Sequence, residues 1–277
     1  GIVKLLELRA RDALQTVASA RGLDTSDYVL MAYGGAGPLH VAGYTEGLTF
    51  KGILTFPFAA AFSAFGCSIA DYLHRYTKSM HLSLGPTASE EAKLEVGGAI
   101  NAAWEEMEQT ALEEMKGEGR ELSKIEFQHL AMIRYAAQLT DLEVQSPVNR
   151  INAATDMDRL IGSWEALYEK INSRVSKYSE VGYQILELGL IARIEKVKAR
   201  FQERELGSET PDSSAAKGSR QVYRDGKWQE AHIWEMDALK PGNVIEGFAI
   251  IEHPATTFVV PPGRRVEVDV RNFFWLR

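Results

Sequence analysis

The chain has 277 residues, of which 45% are hydrophobic and 25% are charged. These are ordinary globular proportions, which exclude collagen-like, disordered and coiled-coil chains and fit one large domain or two modest ones. The net charge of −7, without a basic stripe, argues against nucleic-acid binding, because neutralising phosphates requires clustered Lys and Arg. The single cysteine excludes an intramolecular disulfide and favours the reducing cytoplasm, and no apolar run approaches the roughly 18 residues of a membrane helix.

The first part of the sequence predicts a helix followed by a β-α-β unit. Apolar residues recur at helical spacing over residues 3–20, with no capping residue before them. Because the chain also starts with Gly1 rather than Met, we expect a piece of a longer protein. Residues 27–33 are typical of a buried strand in a parallel sheet, and a helix over about 38–47 and an apolar strand over 52–56 follow.

The next segment predicts a short helix, a strand and a long acidic helix. The small-residue stretch 58–72 is predicted to be helical, and 72–84 to be a strand. Thr87 and Glu90 have the spacing of a capping box that opens the long helix. Residues 85–120 carry 3 basic and 9 acidic side chains, a net charge of −6. The acidic face is either a docking surface or, as we favour, a solvated helix face.

Strands and one further helix are predicted for the centre of the chain. Residues 123–135 and 142–145 read as paired strands, and Thr155 opens a clearly amphipathic helix. One long strand or two follow over 183–204. Residues 206–220 are polar with little to bury, so they predict a mobile loop.

The tail is rich in β structure. Asp225-Gly226 is a hairpin signal, and the sequence predicts further strands over 244–251, 256–260 and 265–270. The aromatic residues Phe273, Phe274 and Trp275 are either an anchor for a partner, which we favour, or a last strand within its sheet. The whole pattern predicts a mixed α/β (α+β) fold.

The sharpest local signal is the glycine-rich turn after the first predicted strand. Gly34, Gly35, Ala36 and Gly37 lead into a helix that starts at Pro38. Glycines before a helix N-terminus suit a phosphate or a ribose, because free N–H groups point at the ligand. The spacing matches neither a Walker A loop nor a dinucleotide fingerprint. A tight strand–helix turn packed without ligand is the equal alternative.

Other candidate residues for chemistry are few. His40 would either polarise a phosphate or substrate oxygen, or cap and pack its helix. Asp71 and His74 share a face if they lie on a helix, either as an acid/base pair or, more commonly, as a local salt bridge. Cys67, in a small apolar stretch without an adjacent cation, is predicted to be buried filler. The six histidines show no paired ligand spacing, so no metal site is predicted.

The sequence resembles the hydantoinase A / oxoprolinase family, which includes the ATP-dependent acetone and acetophenone carboxylase subunits. The resemblance begins with the motif Ala32–His40 and extends in order over nearly the whole chain. The further motifs are Phe62–Gly66, Ala70-Asp71, His74–Tyr76, Arg134–Gln138, Leu239–Gly242, Gly247–Ile251 and Thr256–Gly263. The sequence departs from the family pattern at Phe248, where Pro is usual, and at Ala136-Ala137, where a glycine is lost.

The resemblance implies a fold and an activity. Residues 1–80 would be the end of an actin- or sugar-kinase-like ATPase lobe, and residues 81–277 a family-specific α+β module with a β-rich tail. It implies that the loop Gly34–Pro38 contacts ATP, with Mg²⁺ or Mn²⁺ bound by groups not evident in this chain. ATP would phosphorylate a carbonyl or enolate oxygen of a small-molecule ketone or cyclic amide, as in a carboxylase or a hydantoinase/oxoprolinase.

The resemblance also implies what this chain lacks. The early phosphate loops of such ATPases are absent from the sequence, so the chain is expected to be the C-terminal part of a larger enzyme subunit and inactive alone. The remainder of that subunit and a hydantoinase-B-like partner subunit are the implied partners. The alternative function is a non-catalytic assembly module that docks the hydantoinase-B-like subunit.

Overall fold

The computed structural model describes residues 1–172 and 174–277, which form two compact units. The first unit comprises Gly1–Ile69 and Lys198–Arg277, and the second comprises Ala70–Val197. The helices are α1 (Ile2–Ala20), α2 (Gly37–Tyr44), α3 (Phe62–Ile69), α4 (Glu90–Gly117) and α5 (Ala154–Asn172). The strands are β1 (Val29–Met31), β2 (Gly52–Thr55), β3 (Tyr72–Leu84), β4 (Glu126–Tyr135), β5 (Leu142–Gln145), β6 (Tyr183–Ile194), β7 (Ala216–Arg224), β8 (Lys227–Glu235), β9 (Val244–Glu246), β10 (Ala249–His253), β11 (Thr256–Val260), β12 (Arg265–Val268) and β13 (Phe274–Leu276). The predicted mixed α/β fold is confirmed.

The first unit contains two sheets. One has the strand order β1-β2-β13-β12-β9, and the other has the order β11-β10-β8-β7. β1 and β2 run parallel, with Val29 opposite Gly52, so the predicted β-α-β unit is confirmed. The buried core of the unit is built largely from the tail strands, through residues such as Phe258, Val266 and Phe274.

The C-terminal aromatic residues complete the first of these sheets. β13 pairs antiparallel with β2 on one side and with β12 on the other. Phe274 is fully buried. The Trp275 indole Nε1 donates a hydrogen bond to the Asp269 carboxylate (2.9 Å), and its ring lies against Gly52. The favoured hypothesis that Phe273, Phe274 and Trp275 anchor a partner is therefore wrong, because this apolar segment is a central strand.

α1 and β1 leave apolar side chains exposed. α1 buries none of its side chains, and Ile2 is 89% exposed. In β1, which is an edge strand, Val29 is 42% exposed and Met31 is 40% exposed. The prediction of a buried strand over residues 27–33 is confirmed on one face only, because Ala32 is buried and Leu30 packs against the core while Val29 and Met31 are exposed.

Part of the predicted mobile loop over 206–220 is a strand. From Ala216 onwards the backbone forms β7, which pairs with β8 around the left-handed residues Asp225 (φ 52°) and Gly226 (φ 82°). The hairpin prediction is confirmed, and the loop prediction is wrong over residues 216–220. Its polar composition concealed an edge strand whose side chains are mostly exposed and whose stability comes from the backbone ladder.

The second unit is an antiparallel sheet of order β3-β6-β4-β5, with α4 and α5 contributing to its core. α5 buries the face that the sequence predicted, with Trp164 fully enclosed. α4 begins after Ser89, whose hydroxyl accepts a hydrogen bond from the Ala92 N–H (3.2 Å). The helix therefore uses Ser89 as its cap and not the predicted Thr87.

The two compact units differ from the predicted division at residue 80. β3 spans that position and lies wholly in the second unit, while residues 198–277 belong with the first 69 residues. The physical reason is that β12 and β13 complete the sheet that β1 and β2 begin.

Candidate functional site

The glycine-rich turn lies between β1 and α2, as the sequence predicts. The backbone leaving β1 is held by two hydrogen bonds, from Ala32 N–H to the Leu54 carbonyl oxygen and from Gly34 N–H to the Ala59 carbonyl oxygen (both 2.8 Å). Gly34 has φ +84°, a left-handed conformation that favours glycine. The chain therefore changes direction at Gly34, immediately before α2 begins.

The turn presents unpaired N–H groups. Within the part of the chain that the structure describes, the N–H groups of Gly35, Ala36 and Gly37 donate to no other group. No side chain caps the N-terminus of α2, and Pro38 occupies its first turn. Gly35 and Ala36 are exposed. Free N–H groups at a helix start are suited to the oxygen atoms of a nucleotide, either phosphate or ribose.

The opposite side of the turn rests on the β10–β11 hairpin. The Thr256 hydroxyl lies 3.1 Å from the Gly34 carbonyl oxygen and 3.2 Å from the Gly35 carbonyl oxygen, so it donates one hydrogen shared between them. A Cβ at Gly35 would lie 3.5 Å from the Ala255 carbonyl oxygen, an ordinary contact. No local signal in the sequence predicts this support, because Thr256 is more than 220 residues away from the turn.

An aromatic cluster lies beside the turn. The Tyr33 ring is 49% exposed, and its centroid is 5.1 Å from that of Phe62. The other members of the connected ring contacts are Phe56, Phe58, Phe65, Phe201 and Phe273. The first unit thus places an exposed ring next to the free N–H groups, as a flat apolar surface for an organic ligand.

His40 is paired with α1. Its Nδ1 lies 3.1 Å from the Glu7 carboxylate, and about a fifth of each side chain is exposed. The structure thus places the imidazole in the packing between α1 and α2. The role of His40 at a phosphate or substrate oxygen stays a prediction that this geometry does not strengthen.

Asp71 and His74 do not form the predicted pair. Asp71 lies immediately before β3 and His74 lies within it, so the two are not on a helix, where residues three apart would share a face. The Asp71 carboxylate accepts a hydrogen bond from the Lys196 N–H (2.9 Å), and the His74 Nε2 lies 2.9 Å from the Glu118 carboxylate.

Cys67 is exposed on α3, which buries none of its side chains, so the prediction that it is buried filler is wrong.

The second unit holds a network of charged side chains around the buried His129 that sequence reasoning missed. The Glu108 carboxylate on α4 lies 2.6 Å from the His129 Nε2 on β4 and accepts two hydrogen bonds from Arg150. Burial lowers the pKa of His129, against the opposing effect of Glu108. Burial works to raise the pKa of Glu108, but hydrogen bonds from Arg150 and His129 outweigh it and lower the pKa. The three residues come from separate elements, so no local spacing could reveal the network.

Part of the acidic segment over residues 85–120 is paired within the second unit. Glu106 pairs with Lys78, Glu108 with Arg150, and Glu118 with His74. These pairs account for part of the acidic segment without an external partner. They support the favoured interpretation that this is a solvated helix face and not a docking surface. The difference from the prediction is that several carboxylates are paired with cationic side chains and are not only solvated.

The described residues contain neither a metal-binding cluster nor a helix that could span a membrane. Across 1–172 and 174–277, no three His, Cys, Asp or Glu side chains are grouped so that they could hold a metal ion. In the same residues, no helix is both long and apolar enough to cross a membrane.

Comparison with known families decides the relationship. Residues 87–277 match the model of the hydantoinase/oxoprolinase C-terminal domain, and residues 1–76 match that of hydantoinase/oxoprolinase. The chain belongs to the hydantoinase/oxoprolinase family. The resemblance carried by the Ala32–His40 motif is thereby confirmed. The two family models meet between residues 76 and 87, close to the predicted division at residue 80, although the compact units divide the chain differently.

Relatives in this family include ATP-dependent enzymes. The acetone carboxylase beta subunit of Xanthobacter autotrophicus is 36% identical over all 277 residues, which cover 39% of that subunit. The caprolactamase subunit alpha of Pseudomonas jessenii is 26% identical over 97% of this chain and 38% of that subunit. The chain thus spans under two fifths of the length of either relative.

Solved structures of this family share the fold. A nucleotide-free structure of acetone carboxylase, reported for ATP-dependent acetone carboxylation, aligns over 100% of this chain and 39% of that chain, with a TM-score of 0.73 and 36% identity. The crystal structure of the ATP-dependent caprolactamase from Pseudomonas jessenii covers the same shares with a TM-score of 0.82 at 22% identity, which shows the fold alone.

Proposed function

We propose that this chain is the C-terminal part of an ATP-dependent enzyme subunit and that residues 34–38 form one wall of its nucleotide site. The observation that carries the proposal is the row of free N–H groups on Gly35, Ala36 and Gly37, beside the exposed ring of Tyr33. Membership of a family with ATP-dependent relatives supports ATP as the nucleotide.

The proposed reaction is the activation of a carbonyl or enolate oxygen. The γ-phosphoryl group of ATP passes to that oxygen, which leaves ADP and a C–O–P group that makes an inert ketone or cyclic amide reactive. The higher identity to the acetone carboxylase subunit, 36% against 26% for caprolactamase, favours a ketone as substrate. This chain would bind and orient the nucleotide through its backbone, since positioning contributes much of the catalysis of phosphoryl transfer.

The rest of the site would come from other parts of a longer subunit. The described residues offer no cluster of ligands for Mg²⁺ or Mn²⁺, so we assign no metal-binding role to this chain. The exposed apolar side chains of α1 and β1, such as Ile2, Val29 and Met31, form a surface that further protein would cover. Alone, the chain would not turn over ATP. A hydantoinase-B-like partner is part of the proposal, because the relatives are subunits of larger enzymes.

The test is an Ala36→Asp substitution in the longest natural polypeptide that contains this chain. Ala36 has negative φ, and its exposed side chain precedes α2, so aspartate fits without backbone strain and is favourable near a helix N-terminus by about 0.3–1 kcal/mol. The same carboxylate would repel a bound polyanion. At an effective dielectric of about 20, unit charges about 8 Å apart repel by about 2 kcal/mol, so we expect ATP to bind about 30-fold more weakly.

Ala36→Asn is the matched control, since it differs from aspartate only in charge. We expect it to retain most of the ATP affinity in titration calorimetry. The thermal stability of the aspartate variant should equal or exceed that of the unchanged protein. Equal ATP affinity in all three proteins would show that the loop does not lie at the nucleotide.

A further inference from the structure

The β10–β11 hairpin supplies a side chain that holds the glycine turn from behind. Thr256 is the first residue of β11 and is only 4% exposed. Its hydroxyl oxygen lies 3.1 Å from the Gly34 carbonyl oxygen and 3.2 Å from that of Gly35. Thr256 therefore contacts two successive peptide units of the turn through their carbonyl oxygens.

These two peptide units are the ones that carry free N–H groups. The Gly34 carbonyl belongs to the same peptide unit as the Gly35 N–H, and the Gly35 carbonyl to the same unit as the Ala36 N–H. A peptide unit is planar and trans, so its carbonyl and its N–H point in opposite directions. A hydroxyl that draws both carbonyls towards the hairpin therefore turns both N–H groups away from it, to the exposed side of the turn.

We propose that Thr256 is a positioning residue for the nucleotide loop and fixes the direction of the Gly35 and Ala36 N–H groups. This inference rests on the proposed function and adds a residue that has no contact with the nucleotide itself. Without the hydroxyl, both peptide units are free to rotate, because Gly34 and Gly35 lack the side chains that restrict backbone dihedrals. Nucleotide binding would then have to order the turn, and this loss of conformational entropy would weaken the affinity.

The neighbouring residue provides a control within the same strand. The side chains of β11 alternate, so that Thr256 is buried on one face and Thr257 is partly exposed on the other. Thr→Val replaces the hydroxyl with a methyl group of similar size at either position. Only the change at Thr256 removes the donor to the turn.

The experiment measures Mg·ATP binding by titration calorimetry on the longest natural polypeptide containing this chain, with its natural partner subunits. We expect Thr256→Val to weaken binding about tenfold, the equivalent of about 1.4 kcal/mol and typical of one lost hydrogen bond. Thr256→Ser should restore the affinity, and Thr257→Val should bind like the unchanged protein. Amide hydrogen exchange of the nucleotide-free protein should accelerate in Thr256→Val at Gly34, whose N–H donates to the Ala59 carbonyl oxygen, and remain unchanged in β12 and β13.

The possible outcomes separate this inference from the proposed function. If Ala36→Asp loses ATP while Thr256→Val keeps it, the nucleotide site stands and the positioning role is overturned. If serine weakens binding as much as valine, packing and not the hydroxyl matters, which also overturns it. If the unchanged protein binds no ATP, both proposals fail. Should the valine variant not fold, Thr256→Ala provides the same loss of donor without the extra methyl groups, and an unchanged affinity there counts against the inference.

Discussion

Replacing Phe274 with alanine separates a core strand from a docking anchor. The ring is fully buried, and Phe274 lies opposite Thr55 of β2 and Val268 of β12 in the register of the sheet. Truncating a buried phenylalanine costs about 3–5 kcal/mol through lost transfer free energy and the cavity left behind. This is a large part of the roughly 5–15 kcal/mol by which a domain is stable, so we expect the first unit to unfold at a much lower urea concentration.

The assay is urea unfolding followed by hydrogen exchange and mass spectrometry, which assigns the loss to particular peptides. Peptides from β2, β12 and β13 should lose protection in Phe274→Ala, while those of the second unit keep theirs. Trp228→Ala is the control, because that indole is 67% exposed and its loss should change the free energy of unfolding by no more than about 0.5 kcal/mol. A change below about 1 kcal/mol for Phe274→Ala, with a loss of subunit assembly instead, would refute the reasoning and restore the anchor hypothesis.

Two further predictions concern the second unit. The folded state lowers the pKa of both His129 and Glu108, so on acidification the unfolded state takes up protons first, and stability should fall from about pH 7 to below pH 4. Urea midpoints measured from pH 8 to pH 3 check this, and midpoints that stay constant down to pH 4 would contradict it. The Glu108→Gln variant should be less stable at pH 7, and its urea midpoint should depend less on pH below about pH 4.5. Gly182 has φ +78°, and a Cβ there would lie 2.5 Å from the Leu84 carbonyl oxygen, so Gly182→Ala should cost about 2–5 kcal/mol in the same assay. Gly98→Ala, in an open position on α4, should not destabilise, and equal losses at the two sites would show that crowding is not the cause.

The elements that the sequence predicts well are those whose signal is local. α5 buries the face that its periodicity indicates, and the Asp225-Gly226 hairpin follows from two residues that tolerate positive φ. Burial is harder to predict than periodicity. Apolar spacing indicates that α1 has a face to cover, but it cannot show what covers it, and in this chain that face is exposed.

Other features could not be predicted because their cause lies far away in the sequence. The polar residues at the start of β7 read as a loop, yet backbone pairing with β8 forms a strand there although residues 216–220 are all exposed. Cys67 lies in an apolar stretch that predicts burial, whereas α3 leaves it exposed. For the candidate site, the Gly34–Pro38 turn was predictable from its composition. Its partner Thr256 was not, because strand pairing alone brings the two together.

The C-terminal strands and the glycine turn belong to the same compact unit and depend on each other structurally. β13 inserts beside β2, and the β10–β11 hairpin contacts the turn that leaves β1. A polypeptide divided between residues 76 and 87, where the two family models meet, would leave β2 without a neighbour on one side and the Gly34 and Gly35 carbonyls without Thr256. The residues that carry the free N–H groups would be unchanged, but without Thr256 the orientation of these groups would no longer be fixed. The boundary between the two family models thus separates the glycine turn from Thr256 and β13, and the nucleotide site that we propose needs both parts.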